Sequence, residues 1–392
     1  MTELDESLMR RALALAKKGE GRVEPNPMVG CVIVRDGRII GEGYHRRFGC
    51  PHAEIEALKS CTRNPRGATV YVSLEPCCHH GKTPPCTHAL IRAGVTRVVT
   101  PLRDPNPAVN GKGLQQLRAA GIAITTGVLA HEAAVVLAPF LTRLRLGRSY
   151  VIAKWAQSLD GRLITPPGQS KWISCEASRR LVHRLRARVD AVLVGVGTVL
   201  ADDPLLTARG VPLRRRALRV VLDSKLRTPL SAKLVASTRT TPTLILTTAQ
   251  SLKTRKAQQL KRKGVELVAC KARSGRLVLG DCLSHLAERG VTNLLVEGGP
   301  TVLRAMLMAR LVDEAWAFVA PGFMGGEPQR CCLAKVFADT DPRAATVEPS
   351  GHDLLYRLRL TGPRREKFKV QGSKRPFELR TSNFELFPSA RG

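Results

Sequence analysis

Pro51-His52-Ala53-Glu54, followed by Glu75-Pro76-Cys77-Cys78-His79-His80-Gly81-Lys82-Thr83-Pro84-Pro85-Cys86, decides how the first part of this chain folds and what it can hold. The two stretches supply an imidazole at His52, thiols at Cys77 and Cys86, and at Glu54 a carboxylate that is not needed as a ligand. Three nitrogen and sulfur ligands with a fourth position left to water are the pattern of a hydrolytic zinc site. Zinc held there would lower the pKa of its water from about 16 towards about 7. Glu54 could then take the water proton and pass it on to the reacting nitrogens.

The spacing predicts local structure. A helix is expected from Ala53 to Ser60, directly after His52. A second is expected from Pro84 to Ala93, because proline suits a first helical turn and Gly94 suits the residue after the end. Both helix starts would favour an anionic thiolate through their dipoles. The usual deaminase signature joins H-x-E to P-C-x-x-C. Here H-x-E is intact, but eight residues separate Cys77 from Cys86. The competing reading is a structural zinc knuckle, which would need a fourth protein ligand; Cys78, His79, His80 and His88 are available. The free acid at Glu54 and the Glu75-Pro76-Cys77 approach favour catalysis.

At 392 residues the chain is long enough for two domains and a tail. The expected bounds are 1–146, 147–361 and a basic, disordered tail at 362–392. A hydrophobic content of 43% permits a sizeable core, and 4% aromatics make that core aliphatic. No apolar stretch reaches the length of a membrane span, and Met1 to Gly21 reads as a charged amphipathic helix without a signal-peptide core. Eleven cysteines are an odd count in a long chain, and three lie in the metal motif, so a reducing cytoplasm is expected. The net charge of +31 would suit nucleic acid or phosphorylated substrates. The basic residues are scattered, with runs at Arg214-Arg215-Arg216, Lys261-Arg262-Lys263 and Arg364-Arg365. No aromatics interleave with them as a stacking platform requires. A solvated arginine-rich surface is the preferred reading, and anionic small substrates would still gain from the field.

Strand and helix alternate in both halves. Strands are expected at Val29–Val34, Arg38–Tyr44, Ala68–Leu74, Arg97–Thr100 and Ile122–Thr126, with helices at Gly113–Ala120 and His131–Leu146. Asp36-Gly37 marks a hairpin between the first two strands. A second unit begins near Tyr150, with strands at Tyr150–Ala156, Ala191–Val194, Leu218–Leu222, Thr243–Thr247, Val265–Val268, Asn293–Val296 and Trp316–Val319. Helices are expected at Cys175–Arg188, Thr254–Arg262, Cys282–Arg289 and Pro300–Ala309. The fold class is α/β in both units.

From Leu4 to Leu360 the chain resembles the bifunctional deaminase–reductase family of riboflavin biosynthesis. The N-terminal motifs that carry the resemblance are Pro25-Asn26-Pro27-Met28-Val29-Gly30, Gly43-Tyr44-His45, His52-Ala53-Glu54, the stretched cysteine motif and Asp104-Pro105-Asn106-Pro107. Those of the second unit are Ser158-Leu159-Asp160-Gly161-Arg162, Ser170-Lys171-Trp172-Ile173, Gly197 to Pro204, Leu222-Asp223-Ser224 and Glu297-Gly298-Gly299-Pro300-Thr301. The resemblance implies a cytidine-deaminase-like α/β/α sandwich followed by a dihydrofolate-reductase-like α/β domain. It implies two consecutive steps: removal of the 2-amino group of a diaminopyrimidinone ribosylamine 5′-phosphate, then NADPH reduction of the ribosyl group to ribityl. One zinc ion per deaminase domain and NADPH are the implied cofactors, and a dimer or tetramer through the reductase domain is the implied assembly.

The resemblance also implies roles. His52, Cys77 and Cys86 would hold the metal and Glu54 would move protons. Asn26, His45, Lys82 and Asn106 would contact the first substrate, with Lys82 suited to its phosphate and His79 and His80 as further candidates. In the second unit Lys154, Asp202 and Glu297 would serve the reduction. Ser170, Arg186, Leu206, Arg209 and Glu297 would contact its substrate, the arginines being suited to phosphate. Trp172, Thr198, Asp202 and Ser224 would contact the cofactor, whose phosphate Gly299, Pro300 and Thr301 could cradle at a helix start. Asp160 and Asp203 could equally be turn or cap residues.

The chain departs from the family pattern at Cys78, where serine is expected and a spare thiol is added beside the metal. It departs also at Leu137, in the short arginine-rich segment from Leu206 to Arg219, and beyond Thr361. Two other readings compete: a tRNA-type deaminase using the positive charge, and a basic RNA-binding protein on a deaminase scaffold. The first leaves the second unit unexplained. The second predicts loss of Glu54 or a metal ligand, and none is lost.

Overall fold

A computed structural model describes residues 2–81, 84–163, 172–325 and 345–360. Lys82, Ser170 and the expected tail at 362–392 lie outside the described residues. The N-terminal part runs α1 (Glu3–Lys17), β1 (Gly30–Arg35), β2 (Arg38–Tyr44), α2 (Ala53–Lys59), β3 (Thr69–Val72), α3 (Cys86–Arg92), β4 (Arg97–Thr100), α4 (Lys112–Ala119), β5 (Ala123–Thr126), α5 (Ala130–Val136) and α6 (Ala138–Leu146). Its five strands are ordered β2-β1-β3-β4-β5. β1 is antiparallel to β2 and β3, and β3, β4 and β5 are parallel.

Strand alternation builds two cores. Val32 and Val34 pack on one face with Leu8, Met9 and Leu13 of α1. Cys31 and Ile33 pack on the other with Ala53 and Ala57 of α2, Leu90 of α3 and Leu117 of α4. The result is an α/β/α sandwich. Thr2 and Asp5 cap α1 reciprocally. The Asp5 carboxylate also accepts from Tyr71 Oη at 2.8 Å and from Arg97 at 2.9 and 3.1 Å, which ties α1 to β3 and β4.

The second part runs β6 (Tyr150–Ser158), α7 (Glu176–Arg186), β7 (Ala191–Gly195), α8 (Val196–Asp202), β8 (Leu218–Leu222), α9 (Lys233–Ala236), β9 (Thr243–Thr247), α10 (Ala249–Leu252), α11 (Arg255–Arg262), β10 (Glu266–Ala269), β11 (Ala272–Arg273), β12 (Arg276–Leu277), α12 (Leu279–Glu288), β13 (Asn293–Val296), α13 (Pro300–Met308), β14 (Glu314–Ala320), β15 (Ala345–Ser350) and β16 (Asp353–Arg359). The main sheet is ordered β10-β9-β8-β7-β13-β6-β14-β16-β15. It is parallel from β10 to β14 and antiparallel over β14, β16 and β15. Aliphatic cores fill both of its faces, as strands covered on both sides require. Ion pairs from Arg188 to Glu20, at 2.6 Å, and from Arg215 to Glu24, at 3.3 Å, link the two parts.

Three expectations need correction. The single helix expected over His131–Leu146 is divided at Leu137, because Pro139 has no N–H to continue the ladder. α8 arises in the glycine-containing Gly195–Asp202 stretch, which carries too little periodicity to be read as a helix. β15 and β16 were not expected at all. They form an antiparallel pair at the β14 edge, with Leu355 of β16 buried in one core and Leu358 in the other.

Candidate active sites

Gly43 sets the position of the first site. A Cβ there would stand 2.3 Å from Ala57 N and 2.5 Å from Ala53 O. Only glycine therefore lets α2 lie directly on β2, and the helix start carries His52 as its N-cap with Glu54 in its first turn. Cys86 opens α3, and its backbone N–H points at Cys77 Sγ at 3.4 Å. His52 Nδ1 lies 3.4 Å from Cys77 Sγ and 3.3 Å from Cys86 Sγ.

These separations suit zinc. Bonds of about 2.3 Å to sulfur and about 2.0 Å to nitrogen at tetrahedral angles put N and S about 3.5 Å apart. Without a metal, the Cys86 thiol donates to Cys77. That bond holds the Cys77 thiol below its usual value and pushes Cys86 above it. One thiolate is thus already favoured. Among the described residues the ligand group holds His52, Cys77 and Cys86 and no fourth member. Cys78, expected to be a spare thiol beside the metal, instead turns to the Ala108 carbonyl. His88 bonds Gln116 at 2.9 Å, and its ring meets that of His80 edge-on.

Glu54 is buried, and burial followed by the Cys77 charge lifts its carboxyl to about 7. It borders a cavity of about 260 Å³ together with Asn26, His45, His52, Cys77 and Asn106. Both Asn26 and His45 already have partners. His45 Nδ1 lies 3.1 Å from the Pro51 carbonyl, which can only accept, so that nitrogen carries the proton. His45 Nε2 then accepts from the Asn26 amide at 3.2 Å. Burial also holds this imidazole below its usual pKa, in keeping with a neutral ring. Asn106 borders the cavity while its side chain accepts from Ala108 N at 3.1 Å, so it is a turn residue as well as a wall. His79 lies on the same wall.

Glu75 was read only as part of the approach to Cys77, and its larger part was missed. Its buried carboxylate accepts from the backbone N–H groups of Asp104 at 3.1 Å, Gly111 at 2.9 Å, Gly113 at 3.0 Å and Leu114 at 3.3 Å. It thereby pins the Asn106 turn against the metal motif. Gly113 permits the approach, since a Cβ there would meet Pro76 O at 2.2 Å. The available signal was an acid at a strand end with no cation nearby in sequence.

The second site forms where β6, β13 and β7 adjoin. Ala153 pairs with Val296, and Glu297 N–H donates to Leu193 O at 3.0 Å. The register therefore sets Lys154, midway along β6, beside Glu297 at the carboxyl end of β13, the side of the sheet where ligands of α/β folds collect. Burial lowers the Lys154 pKa, opposed by the Glu297 charge. Burial would raise Glu297, but Arg186 and then Lys154 hold it below its usual range. Arg186, expected to meet a phosphate, forms a two-point pair with Glu297 at 2.5 and 2.8 Å. Thr198 Oγ1 accepts from Gly299 N at 3.0 Å, which fixes the turn before Pro300 and Thr301 at the start of α13.

The other residues lie around this group. Asp202 is exposed at the end of α8, and Asp203 caps that helix in the left-handed region, as allowed for it. Asp160 is a turn residue that accepts from Met324 N and Gly325 N. Leu206 is buried with a positive φ of 55°, a strained conformation for leucine. Arg209 N–H donates to His183 Nδ1 at 3.2 Å, a partner that sequence reasoning missed. The Ser224 carbonyl takes hydrogen bonds from Thr248 and Ser251. Trp172 is exposed under Arg179, whose guanidinium carbon is 5.0 Å from the ring centre.

Residues 2–101 match the model for the cytidine and deoxycytidylate deaminase zinc-binding region, and residues 149–356 match the model for the RibD C-terminal domain. The chain belongs to the RibD family. It is 46% identical over 323 residues to the riboflavin biosynthesis protein RibD of Aquifex aeolicus strain VF5, covering 82% of this chain and 88% of that one. Identity to the Escherichia coli K12 protein is 41% over 332 residues, covering 84% and 90%. Among solved structures, Acinetobacter baumannii RibD superposes with a TM-score of 0.78 at 36% identity, covering 92% of this chain and 99% of that one. A Thermotoga maritima diaminohydroxyphosphoribosylaminopyrimidine deaminase/5-amino-6-(5-phosphoribosylamino)uracil reductase gives 0.77 at 37% identity, covering 91% and 99%. Family membership carries with it a zinc-binding deaminase domain and an NADPH-dependent reductase domain.

Proposed function

We propose the following division of labour for the two riboflavin-biosynthesis steps that this bifunctional enzyme performs. Residues 1–146 deaminate the pyrimidinone ribosylamine phosphate, and residues 147–361 reduce the ribosyl group of the aminouracil. His52, Cys77 and Cys86 hold zinc. Bound zinc supplies a Lewis acid that makes water a usable nucleophile near neutral pH. Glu54 takes the proton released as water adds to the ring carbon. It then delivers protons to the ring nitrogen and to the departing amine, which leaves as ammonia while the carbon becomes a carbonyl. Its raised pKa suits a group that must both accept and donate. Asn26 and His45 orient the pyrimidine as a linked pair. Lys82 is proposed as the phosphate contact on sequence grounds.

NADPH supplies the hydride for the second step. Gly299, Pro300, Thr301 and Thr198 would hold it, with Trp172, Asp202 and Ser224 as further contacts. Lys154 and Glu297 face the opened sugar; Lys154 can protonate the oxygen released at C1′, while Glu297, kept ionised by Arg186 and Lys154, orients the sugar. Arg186 positions Glu297 and, with Ser170, Leu206 and Arg209, borders the substrate. A cytoplasmic homo-oligomer, joined through the reductase part, completes the proposal. Every described cysteine is free, in keeping with a reducing compartment. Among the described residues no helix is long and apolar enough to cross a membrane.

The observation that carries the reading is the three-ligand group with the buried, unligated Glu54 at its edge. A two-substrate assay tests it. Glu54→Gln should abolish ammonia release and leave NADPH oxidation on the deaminated substrate intact. Loss of both activities in a folded variant would refute the two-site assignment.

A further inference from the structure

Cys270, Asp281 and His285 form a second group of metal-ligating side chains, far along the chain from the first and outside both active sites. Their ligand atoms all lie within 4.8 Å of one another. Cys270 follows β10, and Asp281 and His285 are one turn apart on α12. The β11–β12 hairpin lies between them in sequence, so one ion would close both ends of that excursion. The backbone holds the group in place: Cys270 N–H donates to Thr247 O at 2.8 Å, and Lys271 N–H donates to Asp281 Oδ2 at 2.8 Å.

The surroundings of each ligand fit metal binding. His285 Nε2 is 3.5 Å from Asp281 Oδ2, and its Nδ1 is 3.6 Å from Glu288 Oε2. Metal-bound imidazoles usually present their second N–H to a carboxylate, which is where Glu288 stands. Lys271 Nζ approaches Asp281 Oδ1 at 3.6 Å, but its side chain is 82% exposed and free to swing into solvent.

We propose that Cys270, Asp281 and His285 bind a second zinc ion, which pins the β11–β12 hairpin to α12. A thiolate, an imidazole and a carboxylate are zinc ligands; calcium and magnesium would require oxygen donors throughout. The function described above does not depend on this site, because none of its residues belongs to either active site.

Zinc titration of the full-length, chelator-dialysed protein against a competing chromophoric chelator tests the proposal. The protein should take up a second equivalent beyond the one held at His52. His285→Ala and Cys270→Ser should each lose that equivalent and keep ammonia release unchanged. In a Cys77→Ser background, which removes the first ion, zinc should still raise the melting temperature, and adding His285→Ala should remove that shift. A single equivalent in the wild type, or a second equivalent retained by both variants, would overturn the proposal. Failure of the first site would appear differently, as a Cys77→Ser protein with unchanged zinc content.

Discussion

The Arg186 guanidinium grips the Glu297 carboxylate at two points, 2.5 and 2.8 Å apart, with Lys154 on the neighbouring strand. Both pair members are nearly buried, with side chains 14% and 8% exposed. Removing one partner of such a pair strands a charge and costs about 3–5 kcal/mol. Arg186→Ala should therefore lower the stability of the reductase part by that order in denaturant unfolding. NADPH oxidation should fall sharply, while ammonia release from the first substrate persists. Arg186→Lys should recover part of the stability but less of the activity, since lysine cannot make the two-point contact.

Glu75 offers a sharper test of the deaminase part. Its carboxylate satisfies four backbone N–H groups, three of them in buried surroundings. Glu75→Ala leaves these donors unpaired, each at a cost of about 1–3 kcal/mol. The expected outcome is a loss of several kcal/mol in thermal or denaturant unfolding, with ammonia release abolished. Glu75→Gln keeps only one acceptor oxygen and should fall between the two. Reduction of the deaminated substrate should survive in any variant that remains folded.

The metal site was legible because its ligands come in two short stretches whose helix starts are set by proline and by the residue after His52. The strands were legible too: Arg38–Tyr44, Arg97–Thr100, Leu218–Leu222, Thr243–Thr247 and Asn293–Val296 are placed as expected. What was hidden depends on long-range pairing. Glu75 caps a loop 29 to 39 residues away in sequence. Arg186 meets Glu297 only once the β6–β13–β7 register is fixed. His183 meets the Arg209 backbone across a loop. β16 escaped because it buries Leu355 in one core and Leu358 in the other, so its apolar residues follow no single period.

Asp5 gives the fold a pH dependence. Hydrogen bonds from Arg97, joined by those from Tyr71 and Thr2, pull its carboxyl down to about 2. In the unfolded chain it would titrate near about 4. A carboxyl whose pKa is depressed on folding contributes stability above its unfolded pKa and loses it as the pH falls through the folded value. The contribution should be complete above about pH 4 and vanish towards pH 2, amounting to about 2 kcal/mol at most. Acid unfolding of the wild type and Asp5→Asn should converge as the pH falls through this window. A constant gap between them would exclude this account.

Gly43 connects backbone packing to chemistry most directly. A methyl at this position would press on Ala57 N and Ala53 O, both backbone atoms of α2, at 2.3 and 2.5 Å. Neither can move alone, so Gly43→Ala must push the helix away from β2, and His52 sits at the start of that helix. Even a shift of about 1 Å costs a reaction that needs a positioned ligand and base roughly a hundredfold. The variant should release ammonia at least that much more slowly and bind zinc at His52 more weakly in a chelator competition. NADPH oxidation on the deaminated substrate should stay near the wild-type rate, because β2 and α2 belong to the other sheet. Gly37→Ala on the same hairpin, where a Cβ meets nothing within 4 Å, is the control: its positive φ costs stability without displacing α2. Equal loss of ammonia release in the two variants would show that strain in the hairpin, rather than displacement of α2, is the cause.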